Sequence, residues 1–170
     1  LAKLRPESPV PLVRLAEVQV ADKDLAAARE SARKALAMKP DSVEAQRMLI
    51  ALDLDSGKEP SALAMARDMQ RQRPNESIGY LLEGDIRARQ KSWVEAAAAY
   101  RNGLKKAGTT DLAIRLSMAL DAGGNSAEAE KFAATWLKDH PKDLHYLHFK
   151  AQQVIARKDH AAAARQYKAI

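Results

Sequence analysis

Apolar residues recur along this chain at spacings of three and four, the pattern of helices that bury one face. Leu12, Leu15, Ala16 and Val20 form a first stripe, and Leu25, Ala28, Ala32, Ala35 and Leu36 a second. Ala45, Met48, Leu49 and Leu52 give a third, and Ala62, Met65, Ala66 and Met69 a fourth. Residues 74–107 then form helix, short turn and helix, with Ala96 and Tyr100 on one face of the second. Leu112, Leu116 and Leu120 follow, and after them Ala129, Ala133, Trp136 and Leu137. Start and stop signals lie between the stripes. Pro9 and Pro60 can each open a helix, where a missing N–H costs nothing. Asp24 is an expected N-cap, Ser56-Gly57 an expected helix end, and Gly123-Gly124 a break. Ser92 with Glu95 matches a capping box, and Asn125 with Glu128 resembles one. The pattern predicts about ten helices of roughly 12 to 15 residues each.

The stripes repeat with a fixed period. Pro6, Pro40 and Pro74 are each 34 residues apart, and Pro141 lies 67 beyond Pro74. Gly108 stands one period after Pro74, so a single deletion near Gly123-Gly124 would restore phase. The second helix of every unit carries an alanine in register: Ala28, Ala62, Ala96, Ala129 and Ala163. Four residues on come Ala32, Ala66, Tyr100, Ala133 and Tyr167. A small residue lets neighbouring helices approach, and the next position fills the gap. Gly84 marks another expected close approach. Such a period calls for a repeat fold. The units run over about 9–42, 43–76, 77–110, 111–143 and an incomplete 144–170. Residues 1–8 are expected to be the end of a preceding repeat, and 1–170 a single array taken from a longer one.

Composition narrows the class. The apolar share is 46% and dominated by Ala and Leu, which favours close-packed helices over sheets. There is no Cys, so disulfides, Cys-ligated zinc and Cys nucleophiles are excluded within these residues. The net charge is +6, but acidic and basic residues are interspersed. A solvated basic surface accounts for this better than a nucleic-acid site. No apolar run is long enough to span a membrane.

The A-x3-aromatic pairing at Ala96 and Tyr100, the closing prolines and the 34-residue period resemble tetratricopeptide repeat (TPR) proteins. The resemblance implies an all-α fold, a right-handed α-α superhelix of antiparallel helix pairs whose first helices line a concave groove. It also implies a non-catalytic scaffold for a peptide or a segment of a partner protein. By TPR register the groove-lining candidates are Arg47, Asp55, Asp85, Arg89, Arg115, His145, His148 and Gln152. Some TPR proteins clamp the C-terminal carboxylate of heat-shock chaperones with Lys and Asn at set first-helix positions. Those positions hold Val13 and Glu17, Arg47 and Ala51, and Leu81 and Asp85 here, so that clamp is absent. Within the class, AAAAYRNGL (96–104), TDLAIRL (110–116), AGGNSAEAE (122–130) and WLKDHPKD (136–143) look like the TPR lipoproteins of exosortase/PEP-CTERM systems, the PrsT type. That resemblance implies a bacterial, envelope-associated array, periplasmic or at the outer membrane, assisting exopolysaccharide synthesis or export. A cytoplasmic array is the alternative.

Other constellations carry less. His145 and His148 have a metal-like spacing on a helix, but His140 and His160 complete no ligand set, so no metal is expected. Asp53 is expected to pair with a neighbouring Arg, Asp55 to be solvated, and Trp93 and Trp136 to pack inside the array. No carboxylate couple, phosphate loop or nucleophile setting occurs, so neither catalysis nor a cofactor is expected. A helical-repeat nucleic-acid module, reading one base per unit, is the alternative function, but its recurring polar code is missing. At the far end, Ala163, Ala164, Tyr167 and Ile170 form an apolar face. Homo-association through such ends is expected where no further helix covers them.

Overall fold

The computed structural model describes residues 8–156, and among these it is helical with no strand. Nine helices follow one another: α1 (Val10–Ala21), α2 (Leu25–Met38), α3 (Val43–Asp55), α4 (Glu59–Gln72), α5 (Ile78–Arg89), α6 (Trp93–Leu104), α7 (Thr110–Ala122), α8 (Ser126–Asp139) and α9 (Leu144–Ala156). Each has 12 to 14 residues, as the apolar stripes require. The expected second helix of the fifth repeat, with His160, Ala163 and Tyr167, lies outside the described residues. So does the expected tail of an earlier repeat over 1–8, but for Ser8. The chain divides into two compact units, the boundary falling between Ile86 and Arg87.

In the first unit α1 packs on α2, α2 on α3 and α3 on α4, and α1 also touches α3. Ala28, Ala32, Ala62 and Ala66 are fully buried there. Ala16, Ala28 and Ala32 meet Leu49 and Leu52, and Ala62, Ala66 and Met69 meet Ile50 and Ile86. In the second unit α7 packs against α6, α8 and α9. Ala113, Ala133, Trp136 and Tyr146 form its core with Ile114, Phe132 and Phe149 around them. Ala96 and Ala129 are buried in the same register as Ala28 and Ala62. Gly84 is buried on α5, and a close approach lies at Gly79 on the same helix. A Cβ there would lie 2.8 Å from the Gln70 backbone nitrogen and 3.0 Å from the Ala66 carbonyl.

The turn inside each helix pair is the same motif four times. Asp24, Lys58, Ser92 and Asn125 donate their N–H to the carbonyls of Gln19, Asp53, Arg87 and Leu120. The preceding residues, Lys23, Gly57, Lys91 and Gly124, have positive φ and donate to Val20, Leu54, Ala88 and Asp121. This is the Schellman arrangement, which satisfies the last carbonyls of a helix. It also corrects two expectations. Ser92 and Asn125 make no side-chain cap bond. A capping box needs the cap residue's own N–H for the Glu three residues on, and here that N–H is committed to the preceding helix. Glu128 pairs with Arg101 instead. Working side-chain caps sit at Asp24, Ser42, Thr109 and Asp143.

The second correction concerns phase. Thr109 precedes Gly124 by the interval that separates Ser42 from Gly57, so no residue is lost near Gly123-Gly124. The loss lies earlier, after α6. That helix has 12 residues where α2, α4 and α8 have 14. It stops at Leu104, and Lys106 and Ala107 both turn back to the Gly103 carbonyl. Glycine is a weak helix former, which fits an early stop there.

This packing bears on two substitutions. Ala96→Leu is expected to destabilise by about 1–3 kcal/mol through overpacking, while Ala98→Leu, on an exposed position, stays near wild type. Equal urea midpoints for the two variants would refute the register. Gly79→Ala is also expected to lose about 1–3 kcal/mol. The helix propensity gain of roughly 1 kcal/mol is outweighed because backbone atoms, which cannot swing aside, face the new methyl. A rise in its thermal midpoint would contradict the close approach of α4 and α5.

Candidate functional site

In the first unit, first helices α1 and α3 lie side by side and form a face with two adjoining hollows. One, of about 350 Å³, is lined by Val13, Glu17, Glu44, Arg47, Met48 and Ala51. The other, of about 150 Å³, is lined by Val10, Val13, Arg14, Glu17, Ser42 and Glu44. Helical spacing explains the grouping: Val13 and Glu17 are one turn apart on α1, and Glu44, Arg47, Met48 and Ala51 share a face of α3. Val13 is buried and forms the floor, while Glu17, Glu44, Arg47 and Ala51 line the hollows at exposed positions. Arg14 binds Glu17 at 2.7 Å. The Glu17 hydrogen bond and charge, with a smaller push from Glu44, hold the Arg14 guanidinium more firmly protonated than usual. The Ser42 hydroxyl donates to Glu44 Oε2 at 3.2 Å.

Of the expected groove residues, Arg47 lines the larger hollow. Asp55, the last residue of α3, is exposed, and Asp85 is half-buried on α5. Neither lines the hollows. Arg89 ends α5, exposed, in the second unit. There Arg115 bonds the Asp111 carboxylate at 3.3 Å on its own helix. His148 and Gln152 are hydrogen bonded at 2.9 Å, one turn apart on α9. His145 points elsewhere, lining an open cleft of about 590 Å³ with Thr110, His140 and Asp143. The two histidines are thus not gathered into one site. Among the described residues no cluster of three or more His, Asp or Glu is placed to hold a metal. Nor is any described helix long and apolar enough to cross a membrane.

Buried polar clusters fix the helices that carry these faces. In the first unit the Arg29 guanidinium binds the Asp53 carboxylate and the Leu52 carbonyl, and Ser61 donates to Asp53 Oδ2 at 2.6 Å. Burial alone would push the Asp53 carboxyl up; the bonds from Ser61 and Arg29 and the charges of Arg29 and Lys58 outweigh it and hold it down. Asp53 therefore pairs with an Arg, as expected. In the second unit Asp143 accepts from the Tyr146 N–H at 3.0 Å, Trp136 Nε1 at 2.9 Å and the Thr110 hydroxyl at 2.8 Å. Burial again opposes, and the three bonds and His140 outweigh it, lowering its pKa. Trp136 is buried with His140 stacked on it at 3.9 Å, so it packs as expected; Trp93 is half-buried. Tyr146 meets the Ser117 hydroxyl at 2.6 Å, and burial pushes its phenol up. Lys150, buried on α9, binds both Glu130 oxygens.

Sequence spacing alone did not single out Glu44, Asp143 or Thr110. For Glu44 the signal was available, since it shares the α3 face with Arg47. Asp143 and Thr110 meet across 33 residues, and no local pattern marks that.

No family model and no curated protein matches this sequence. Solved structures do. A thermophilic TPR protein of Thermus thermophilus, TTC0263, is 22% identical, with 96% of this chain and 84% of that chain covered and a TM-score of 0.66. A TPR protein from Parabacteroides merdae is 15% identical over 98% and 67%, at 0.67. YrrB, described as a TPR protein with an unusual peptide-binding site, is 14% identical over 99% and 87%, at 0.58. The fold is therefore that of TPR proteins.

The lowered carboxyls set an acid limit. A depressed folded pKa gives stability that is present above the unfolded value, about 4, and is lost as pH falls through the folded value. Wild type is expected to weaken steeply below about pH 4. The Asp53→Asn, Asp143→Asn double variant is expected to be weaker near neutral pH, with a midpoint that falls less on acidification through about pH 4. Urea midpoints on either side of that value check this; parallel pH profiles would contradict it.

Proposed function

We propose that the chain is a non-catalytic interaction scaffold that binds an extended peptide, or an extended segment of a partner protein, on the α1/α3 face. The observation that carries this is the pair of joined hollows over the buried Val13, rimmed by charged side chains. An apolar floor with a few convergent polar groups is the general form of a binding site. Extended backbone suits a shallow face shared by two parallel-running first helices better than a globular ligand does. The TPR fold supports the reading, as does its likeness to a structure described as having a peptide-binding site.

The motifs at 96–104 and 110–143 favour an envelope setting for this scaffold, in the periplasm or at the outer membrane, in support of exopolysaccharide synthesis or export. That setting is testable by fractionating the bacterium and probing for the protein; recovery in the cytosol alone would refute it.

The binding reading is tested by selecting a random peptide library displayed on phage against the full chain. Enriched peptides are expected to bind wild type and the Arg33→Glu variant, which alters an exposed residue of α2, with equal affinity. Arg47→Glu and Ala51→Arg are expected to weaken them by roughly tenfold or more. Peptides indifferent to both substitutions would sink the proposal. Failure to enrich any peptide, with retention on heparin that collapses between low and moderate salt, would turn it toward helical-repeat nucleic-acid binding.

A further inference from the structure

The order of charges across the two hollows says what sort of peptide the α1/α3 face takes. Val13, Glu17 and Glu44 line both hollows, whereas Arg14 lines only the smaller and Arg47 only the larger. An occupant crossing both therefore meets two carboxylates over an apolar floor at its centre, and one guanidinium toward each outer end. Both carboxylates are exposed, and each has a hydrogen-bond partner that orients it. Glu44 is held by the Ser42 hydroxyl and lies in the first turn of α3, where the helix dipole favours an anion. Glu17 is held by Arg14 in an exposed pair three residues apart. Exposed pairs of this kind contribute little, so an arriving cation competes with Arg14 at little cost. Arg47 is exposed at the rim of the larger hollow and can meet an acid directly.

Resting on the binding reading above, we infer that this face selects peptides with a central Lys or Arg followed or preceded by Asp or Glu. The long aliphatic stem of the basic residue lies on Val13 while its charged head sits between Glu17 and Glu44. The neighbouring acid faces Arg47. A peptide with an acid at the centre meets two like charges there and is rejected, which is how charge patterns give specificity more than affinity.

The test sequences the library-selected peptides and measures a series with central Lys, Gln or Glu by fluorescence anisotropy. Selected peptides are expected to share one Lys or Arg position. The central Gln and Glu peptides are expected to bind more weakly, by roughly tenfold or more for Glu. The double charge reversal Glu17→Lys, Glu44→Lys is expected to invert the order, so that the central Glu peptide becomes the tighter one. Circular dichroism controls for folding, since neither substituted residue is buried. Peptides that Ala51→Arg blocks, but that show no basic position or keep their order on the reversed variant, would overturn this inference and leave the binding reading standing. Peptides that Ala51→Arg does not affect would overturn both.

Discussion

Close helix contact at alanine is the constraint on which the rest of the structure depends. Ala28 and Ala62 in the first unit, and Ala96 and Ala129 in the second, are buried at the same place in successive second helices. With no bulk beyond Cβ, each lets an adjacent helix come near enough for neighbouring side chains to interlock. An alanine itself buries little apolar area, and burial is worth about 25 cal/mol per Å². Stability in such a chain is therefore a sum of many modest contacts between sequential helices. The larger side chains act where the alanines leave room: Met69 and Ile86 in one unit, Trp136 and Tyr146 in the other.

Polar clusters then settle orientation, and they do so differently in each unit. Asp53 is tied to Arg29 and Ser61 across three helices. Leu120 occupies the register of Asp53 in the second unit, its neighbour Asp121 accepts from Gln153, and Arg29 has the acidic Glu130 as its counterpart, bound to Lys150. The repeat thus preserves backbone geometry and buried alanine but not polar chemistry. A buried charged pair is held in place because losing one partner leaves the other uncompensated, and not because the pair is a cheap source of stability.

This separates what the sequence displays from what it hides. Period, helix number over the described residues and the buried alanines were legible, because geometry demands the same small residue at every turn of the array. The left-handed turn position was only half legible. Gly57 and Gly124 announce it, but Lys23 and Lys91 occupy it as well. Glycine is favoured there, and the two hydrogen bonds of each Schellman turn hold a lysine in the same conformation. The capping boxes misled because a local motif takes no account of an N–H already bound to the previous helix. The site was least legible. Arg47 was marked by register, but its meeting with Glu17 depends on α1 lying beside α3, a long-range fact.

The same division explains where function resides. Positions that set helix spacing admit almost no variation in size. Exposed positions on first helices face no such limit, since any side chain there is accommodated by solvent. Val13, Glu17, Arg47 and Ala51 occupy the places where a chaperone clamp would need Lys and Asn, and the fold forms without them. A scaffold of this type can therefore change its ligand by changing charges on one face while its packing stays untouched. On the binding reading proposed above, the identity of the bound segment would be written in the sign and order of those charges, Arg14, Glu17, Glu44 and Arg47, and not in the repeat that displays them.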